Sequence, residues 1–154
     1  MIVKIFKPTV VDIPLMQELV KTEVENGNIL HRNQNEMATT IRSYLAIKDN
    51  NRFIAFVALH IHTIQLAEIR SLIVKKEYRK QGLGKKLIQA AIKEAKELKI
   101  KELLVLTYQK HFFESLDFKE IAKETIPEPK IWADCIKCKH FPICDEISLI
   151  LQLK

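Results

Sequence analysis

Apolar side chains recur along this chain with two different periods, and these periods predict the order of its secondary structure. A spacing of three and four residues, typical of an amphipathic helix, runs from Leu15 to Val20 and again, more regularly, from Leu83 to Leu98. Dense apolar runs at 53–62, 66–74 and 101–107 predict strands, and the last of them is apolar on successive residues, as in a fully buried strand.

Polar residues mark where the first helices begin. Asp12 can cap the first, and Asn33 with Glu36 three residues later forms a capping box for a second helix, expected to run through Met37 and Ile41 to Tyr44. The remaining predicted elements are strands at Ile2–Phe6, Ala46–Ile47, Phe118–Lys123 and Ile147–Leu153, and a short helix through Phe112, Phe113 and Leu116. The pattern predicts an α/β fold in one domain over residues 1–154.

The turn before the longest helix has the chemistry of an anion site. It reads RKQGLG at 79–84, and the helix that follows directs its first backbone N–H groups out of the turn. Glycines at 82 and 84 let a phosphate approach those groups, and Arg79, Lys80 and Lys85 add positive charge. A P-loop would need Ser or Thr after a lysine, and a dinucleotide fingerprint would need a third glycine, so neither nucleotide motif fits.

This turn resembles the Q/R-x-x-G-x-G/A signature of the GCN5-related N-acetyltransferases, the GNAT family. The resemblance implies that backbone amides of the turn hold the diphosphate of acetyl-coenzyme A, the cosubstrate. It also implies the GNAT fold, a mixed and mostly antiparallel sheet of about seven strands flanked by helices. The cofactor contacts that it implies are Leu72, Ile73, Val74, Arg79, Lys80, Gln81, Gly82, Leu83, Gly84 and Lys85.

Composition and charge agree with a small enzyme. The chain has 154 residues, 47% of them hydrophobic, and contains no apolar run of about 18 residues that could span a membrane. Its first residues, MIVKIFKPT, lack the apolar core of a signal peptide, so we expect a soluble cytoplasmic protein. Residues 75–110 hold eleven Lys or Arg against four Glu, which concentrates the net charge of +6 near the turn and favours a phosphorylated coenzyme over nucleic acid.

Four further passages resemble short-form N-acetylglutamate synthases. They are GNILHR at 27–32, EIRSLIV at 68–74, LTYQKHFF at 106–113 and WADCIKCKHFPICDE at 132–146. This resemblance implies direct transfer of the acetyl group to the α-amine of an amino acid, with L-glutamate as the acceptor, at the start of arginine biosynthesis. The chain departs from the pattern at Asp117, where the family has the glycine of a Gly-Phe pair.

The reaction needs a base, because an α-ammonium group is unreactive until it loses a proton. Glu68, at the start of the strand before the turn, is the candidate for this role. The attacked thioester carbonyl would bind backbone N–H groups near Leu72 and Ile73. Phe113 occupies the position of the family's usual tyrosine acid, so Tyr108 is the candidate acid, against the alternative of an ordinary strand-end tyrosine.

Arginines are the candidates for holding the acceptor, since a planar guanidinium binds a carboxylate bidentately. Arg70 lies two residues after Glu68, so both side chains should leave the same face of an extended strand. Arg32 lies just before the second helix, in the loop that commonly lines the acceptor site in the resembled family. A surface ion pair is the alternative for each.

Cysteines 135, 138 and 144, with His140 between them, leave three interpretations open. Cys135, Cys138, His140 and Cys144 are enough ligands for zinc, but the final spacing is too tight for an ordinary two-knuckle site. Packing of reduced cysteines as small apolar residues is preferred, and a redox role is the third interpretation. No metal is therefore predicted.

Two other functions remain open. One keeps the fold and changes the acceptor to another small amine or a protein N-terminus. The other is a binding module that senses coenzyme A, or that binds nucleic acid and holds zinc through its cysteines. We favour the enzyme, with a small-molecule acceptor and with neither nucleic acid nor a membrane as partner. A homodimer is compatible with the sequence.

Overall fold

A seven-stranded sheet organises the protein, in a computed structural model that describes residues 4–126 and 146–153. The strands lie in the order β1-β2-β3-β4-β5-β7-β6, and every neighbouring pair is antiparallel except β4 and β5. The elements, in chain order, are β1 (Lys4–Phe6), α1 (Ile13–Glu25), α2 (Gln34–Thr39), β2 (Tyr44–Asp49), β3 (Arg52–Ile61), β4 (Leu66–Val74), α3 (Leu83–Glu97), β5 (Glu102–Thr107), α4 (Lys110–Glu114), β6 (Lys119–Ile121) and β7 (Ile147–Gln152). The predicted α/β class and element order are confirmed. Within the described ranges, no helix is both long and apolar enough to cross a membrane.

Helix α2 is shorter than the apolar spacing predicted. Its capping box forms, with the Asn33 side chain accepting from the Glu36 N–H at 2.8 Å. The helix ends at Thr39, because the Thr39 and Thr40 hydroxyls bond back to the Glu36 carbonyl and β-branched residues favour leaving the helix. The expectation that it continues to Tyr44 was wrong: Tyr44 begins β2 and is buried.

Helices cover the sheet unequally on its two faces. Helix α3 packs its buried stripe, including Leu87 and Ile88, into the apolar core on one face, which includes residues of strands β2 to β5. On the opposite face, α1 and α2 cover only the part formed by β2 and β3, around Phe56. A separate small cluster around Leu104 covers the β5 side of that face. Between these two clusters a strip of the sheet is left to polar side chains.

A β-bulge at Ser71 interrupts the pairing of β3 with β4. Phe56 pairs with Ile73, but Ala58 pairs with Arg70, so two residues of β4 oppose one of β3. Ser71 has a φ of 57°, in the left-handed region that non-glycine residues rarely adopt. The extra residue reverses the alternation of side chains, so that Leu72 packs on the α3 side although Arg70 faces the opposite side.

Strands β4 and β5 also separate close to the bulge. Their parallel pairing runs from Leu66 with Glu102 to Ile69 with Val105 and ends there, although both strands continue. The segment of β4 from Arg70 to Val74 therefore has its β5-facing edge open. This opening lies beside the start of α3.

Three helices end in the same hydrogen-bonded turn, which requires one left-handed residue. After α1, α3 and α4 these residues are Gly27, Lys99 and Asp117, with φ of 78°, 65° and 73°. After α3 the Ile100 N–H bonds the Ala95 carbonyl at 3.0 Å, and after α4 the Phe118 N–H bonds the Phe113 carbonyl at 3.1 Å. Asp117 therefore stands where the backbone favours glycine, which explains the Gly-Phe pair of the resembled family.

Replacing Lys99 or Asp117 by glycine should stabilise the fold. Each substitution removes the strain of a left-handed side chain, but glycine also gives the unfolded chain more conformational entropy, which offsets part of the benefit. We therefore expect the free energy of unfolding to rise by about 0.5–1 kcal/mol. For a chain of this size, that gain raises Tm by about 1–4 °C in calorimetry. The reverse change, Gly27→Ala, should lower Tm. Equal or lower Tm for both glycine variants would contradict this account of the helix ends.

Candidate active site

A row of polar side chains fills the strip between the two apolar clusters. His60 and His62 come from the end of β3 and the residue after it, and Glu68 and Arg70 come from β4. In the antiparallel register His60 lies opposite Glu68, and alternate residues share a face, so the row follows directly from the hairpin. Glu68 and Arg70 do share one face, because Arg70 Nε donates to Glu68 Oε1 at 2.9 Å.

Glu68 is buried, with only 3% of its surface exposed. His62 Nε2 lies 2.8 Å from the same Oε1 atom that accepts from Arg70. A buried carboxylate needs such partners, since burying a charge without them is very costly. His62 is not among the residues that the sequence predicted for the site. The signal was available in the short β3–β4 turn, which places residue 62 diagonally across from residue 68.

Both predicted substrate arginines line one pocket of about 180 Å³. Arg32 reaches it from the loop before α2, and Arg70 reaches it from β4. The loop is held in place where the Gln17 side chain donates to the Arg32 carbonyl at 3.1 Å. The other lining residues are Glu36, Thr39, Thr40, Ser43, Tyr44, Ala58, His60 and Ser71. Two arginines separated by 38 positions in the chain thus line one space, and the carboxylate of Glu36, which also lines it, accepts from the Asn33 N–H at 3.1 Å.

Tyr44 contributes a neutral hydroxyl to this pocket. Burial raises the pKa of its phenol above the ordinary value, and this effect outweighs the hydrogen bond to Thr40 and the nearby charges of Arg32 and Arg70, which lower it. A raised pKa keeps the proton on the phenol at neutral and moderately alkaline pH. Tyr44 therefore adds no negative charge against the two guanidinium groups.

The backbone of the glycine turn is left-handed at Gly82. This residue has a φ of 80° and directly precedes α3, and no described side chain caps the first N–H groups of that helix. A Cβ at Gly84 would lie 3.7 Å from Phe112 and 3.9 Å from Leu72. Gly84 therefore faces the interior, where a methyl group would make ordinary contacts, and it differs from Gly82 in this respect.

Other predicted coenzyme contacts lie around the same opening. Arg79 is hydrogen-bonded to the end of β4, because its Nε donates to the Val74 carbonyl at 2.9 Å. Lys80 takes a φ of 65° beside Gly82. The segment Leu72–Val74 follows the point where β4 leaves β5, and the turn with Gln81, Leu83 and Lys85 begins α3 next to it.

Tyr108, the candidate acid, and Phe113, which occupies the position of the family's usual tyrosine, lie in different environments. Tyr108 directly follows β5, beyond the point where β4 and β5 part, and is 41% exposed. Phe113 is buried and packs on Phe118 with ring centroids 5.3 Å apart, which makes it a core residue of the α4 turn. The role of Tyr108 stays a prediction.

Cys135, Cys138, His140 and Cys144 lie outside the described residues. Within the described ranges, no group of three or more His, Cys, Asp or Glu side chains is arranged to hold a metal ion.

Comparisons with known proteins give the family. The model of the acetyltransferase (GNAT) family matches residues 14–118. An uncharacterized N-acetyltransferase of Chlorobaculum tepidum is 36% identical over 127 residues, which cover 82% of this chain and 81% of that protein. An amino-acid acetyltransferase of Pasteurella multocida is 31% identical over 124 residues, which cover 79% of this chain but only 28% of that protein.

Among solved structures, an N-acetylglutamate synthase from Neisseria gonorrhoeae, complexed with coenzyme A and N-acetyl-glutamate, superimposes with a TM-score of 0.86 at 20% identity. It covers all of this chain, which spans 36% of the synthase. The PaiA N-acetyltransferase from Thermoplasma acidophilum, in complex with coenzyme A, superimposes with a TM-score of 0.73 at 18% identity, covering 99% of both chains. These likenesses confirm the predicted fold. The chain belongs to the GNAT family of acetyltransferases.

Proposed function

We propose that this protein transfers the acetyl group of acetyl-coenzyme A to the α-amine of an amino acid, with L-glutamate as the acceptor. The observation that carries the proposal is that Arg32 and Arg70 line one pocket and that Arg70 is bonded to Glu68. Two guanidinium groups suit an acceptor with two carboxylates, and a base beside one of them suits its α-ammonium group. The amino-acid acetyltransferase and N-acetylglutamate synthase relatives support the same acceptor class.

In the proposed reaction Glu68 takes a proton from the α-ammonium group, directly or through water. The free amine attacks the thioester carbonyl, a C–N bond forms, and the C–S bond then breaks. Backbone N–H groups near Leu72 and Ile73, on the open edge of β4, suit the oxyanion of the intermediate. The leaving thiolate takes a proton from Tyr108 or from water, and the acetylated nitrogen loses its remaining extra proton to solvent.

Coenzyme binding would use the other side of the same opening. The Gly82 turn and the uncapped first N–H groups of α3 are suited to a diphosphate, through hydrogen bonds and the helix dipole. The open edge of β4 leads from this turn toward the polar row. A thioester bound along that edge would reach the acceptor in the arginine pocket from the α3 side of the sheet.

The acceptor can be identified directly. Thiol release from acetyl-coenzyme A, measured with each of the twenty amino acids, should be fastest with L-glutamate. Aspartate should be slower, because its side chain is one methylene shorter between the two carboxylates. Faster release with an uncharged or cationic amino acid would refute glutamate while leaving the family intact. Release with none of the twenty would refute the amino-acid acceptor class.

Glu68→Gln should lower kcat by about 10²- to 10⁴-fold, the usual contribution of a general base. The amide oxygen can still accept from Arg70, so the fold and the affinity for coenzyme A should change little. Activity should recover partly at high pH, as the acceptor itself loses its proton. The measurements are kcat against pH and coenzyme affinity by calorimetry. Unchanged kcat would remove Glu68 from the role of base.

Replacing each of the two arginines by alanine should have different effects on KM and kcat. Arg32→Ala should raise KM for glutamate by about 10- to 100-fold, the worth of a charged hydrogen bond, with less effect on kcat. Arg70→Ala should raise KM and also lower kcat, because Arg70 is bonded to Glu68.

Arg42→Ala is the matched control, since Arg42 follows α2 but does not line the pocket. It should leave both constants close to those of the parent protein. Comparing glutamate with glutamine as acceptor shows whether Arg32 binds the side-chain carboxylate. Equal losses for both acceptors would assign Arg32 to the α-carboxylate instead.

A further inference from the structure

We infer that His62 is a positioning residue that holds Glu68 in the orientation required for proton transfer; this inference rests on the proposed function. The contact that carries it is the 2.8 Å approach of His62 Nε2 to Glu68 Oε1. His62 is not among the residues that line the arginine pocket. Glu68 does not line the pocket either, but it is bonded to the lining residue Arg70, so His62 is connected to the acceptor site through the carboxylate that it contacts.

Two donors, one from β4 and one from the residue after β3, converge on one oxygen of Glu68. Arg70 Nε approaches from the same strand at 2.9 Å, and His62 Nε2 approaches from across the β3–β4 turn. The terminal torsion of a glutamate side chain is otherwise broad, so a single donor would leave the carboxylate plane poorly defined. Donors from two directions fix that plane, and with it the direction of the oxygens.

Contacts other than the one with Glu68 also hold His62 in place. Its backbone N–H donates to the Leu66 carbonyl at 2.9 Å, which ties it to the start of β4. Its ring packs edge-on against His60, with centroids 4.7 Å apart, and its side chain is only 14% exposed. The imidazole is therefore already oriented with Nε2 toward Glu68 in the folded protein.

The direction of the hydrogen bond follows from the partner. An ionised carboxylate only accepts, so Nε2 of His62 carries the hydrogen and donates it to Glu68 Oε1. This tautomer makes His62 an orienting donor rather than the group that takes the proton from the acceptor. Catalytic geometry is sensitive to small errors, since a displacement of about 1 Å can cost about 100-fold in rate. Loss of His62 should therefore reduce kcat more than it changes binding.

Kinetics of two substitutions test the inference. His62→Leu removes the donor, and kcat should fall about 10- to 100-fold while KM for glutamate and for acetyl-coenzyme A stays within about twofold. His62→Gln places an amide N–H near the position of Nε2, and it should recover most of the lost kcat. His111→Leu is the matched control, because His111 lies on α4 with its side chain 98% exposed. A glutamine variant no better than the leucine variant would overturn the inference.

A double-mutant cycle with Glu68→Gln separates positioning from a general structural effect. If His62 acts through Glu68, His62→Leu should cost less than about twofold in the Glu68→Gln background, because the group that it positions no longer acts as a base. Losses that multiply in full would show that His62 acts independently of Glu68 and would overturn the inference.

The hydrogen bond between His62 and Glu68 can also be tested in the parent protein without turnover. Failure of this inference is therefore distinguishable from failure of the proposed function. Long-range ¹H–¹⁵N spectra of protein with labelled histidine should show a hydrogen on Nε2 of His62, with signals that shift in Glu68→Ala. A bare Nε2 would refute the donated hydrogen bond whether or not the protein acetylates glutamate. Absence of thiol release in the parent protein would instead refute the proposed function alone.

Discussion

The bulge at Ser71 is the constraint on which the site depends. Up to Arg70, even-numbered residues of β4 face the acceptor side, but beyond the bulge Leu72 and Val74 face α3. The same strand can therefore direct Glu68 and Arg70 to one face of the sheet and bring its next segment against the glycine turn on the other. A left-handed serine costs about 1–3 kcal/mol, and the pairing of β4 with β3 on both sides of the bulge holds it in place.

Uneven coverage of the sheet creates room for polar chemistry. The apolar core under α3 is continuous on one face, whereas α1 and α2 leave a strip between Phe56 and Leu104 on the other. Burying Glu68 in that strip is tolerable because an arginine and a histidine donate to it at 2.9 and 2.8 Å. The arrangement differs from a solvated strand-end glutamate or a surface ion pair, in which the carboxylate would turn freely between water and its partner.

Charge is divided between the two sides of the opening in a way that fits two anionic ligands. On the α3 side, backbone N–H groups at a helix start and the lysines of the turn suit a diphosphate. On the acceptor side, Arg32 and Arg70 face a pocket in which Tyr44 stays neutral. The family membership accounts for the first side. The residues of the second side carry the proposal about glutamate.

The sequence by itself determined what depends on residues a few positions apart. The glycine turn, the Asn33 capping box and the strands at 53–62 and 66–74 follow from local spacing and capping, so they could be predicted together with the fold class and the shared face of Glu68 and Arg70. The helix end at Thr39, the left-handed Asp117 and the bulge at Ser71 could not, because they depend on hydroxyl bonds to the backbone, on a helix-ending turn and on strand register, which apolar spacing does not reveal. Only the tertiary structure decided that Arg32 meets Arg70 in one pocket and that His62 holds Glu68. Those contacts depend on strand register and on loop closure between distant parts of the chain, for which local spacing contains no information.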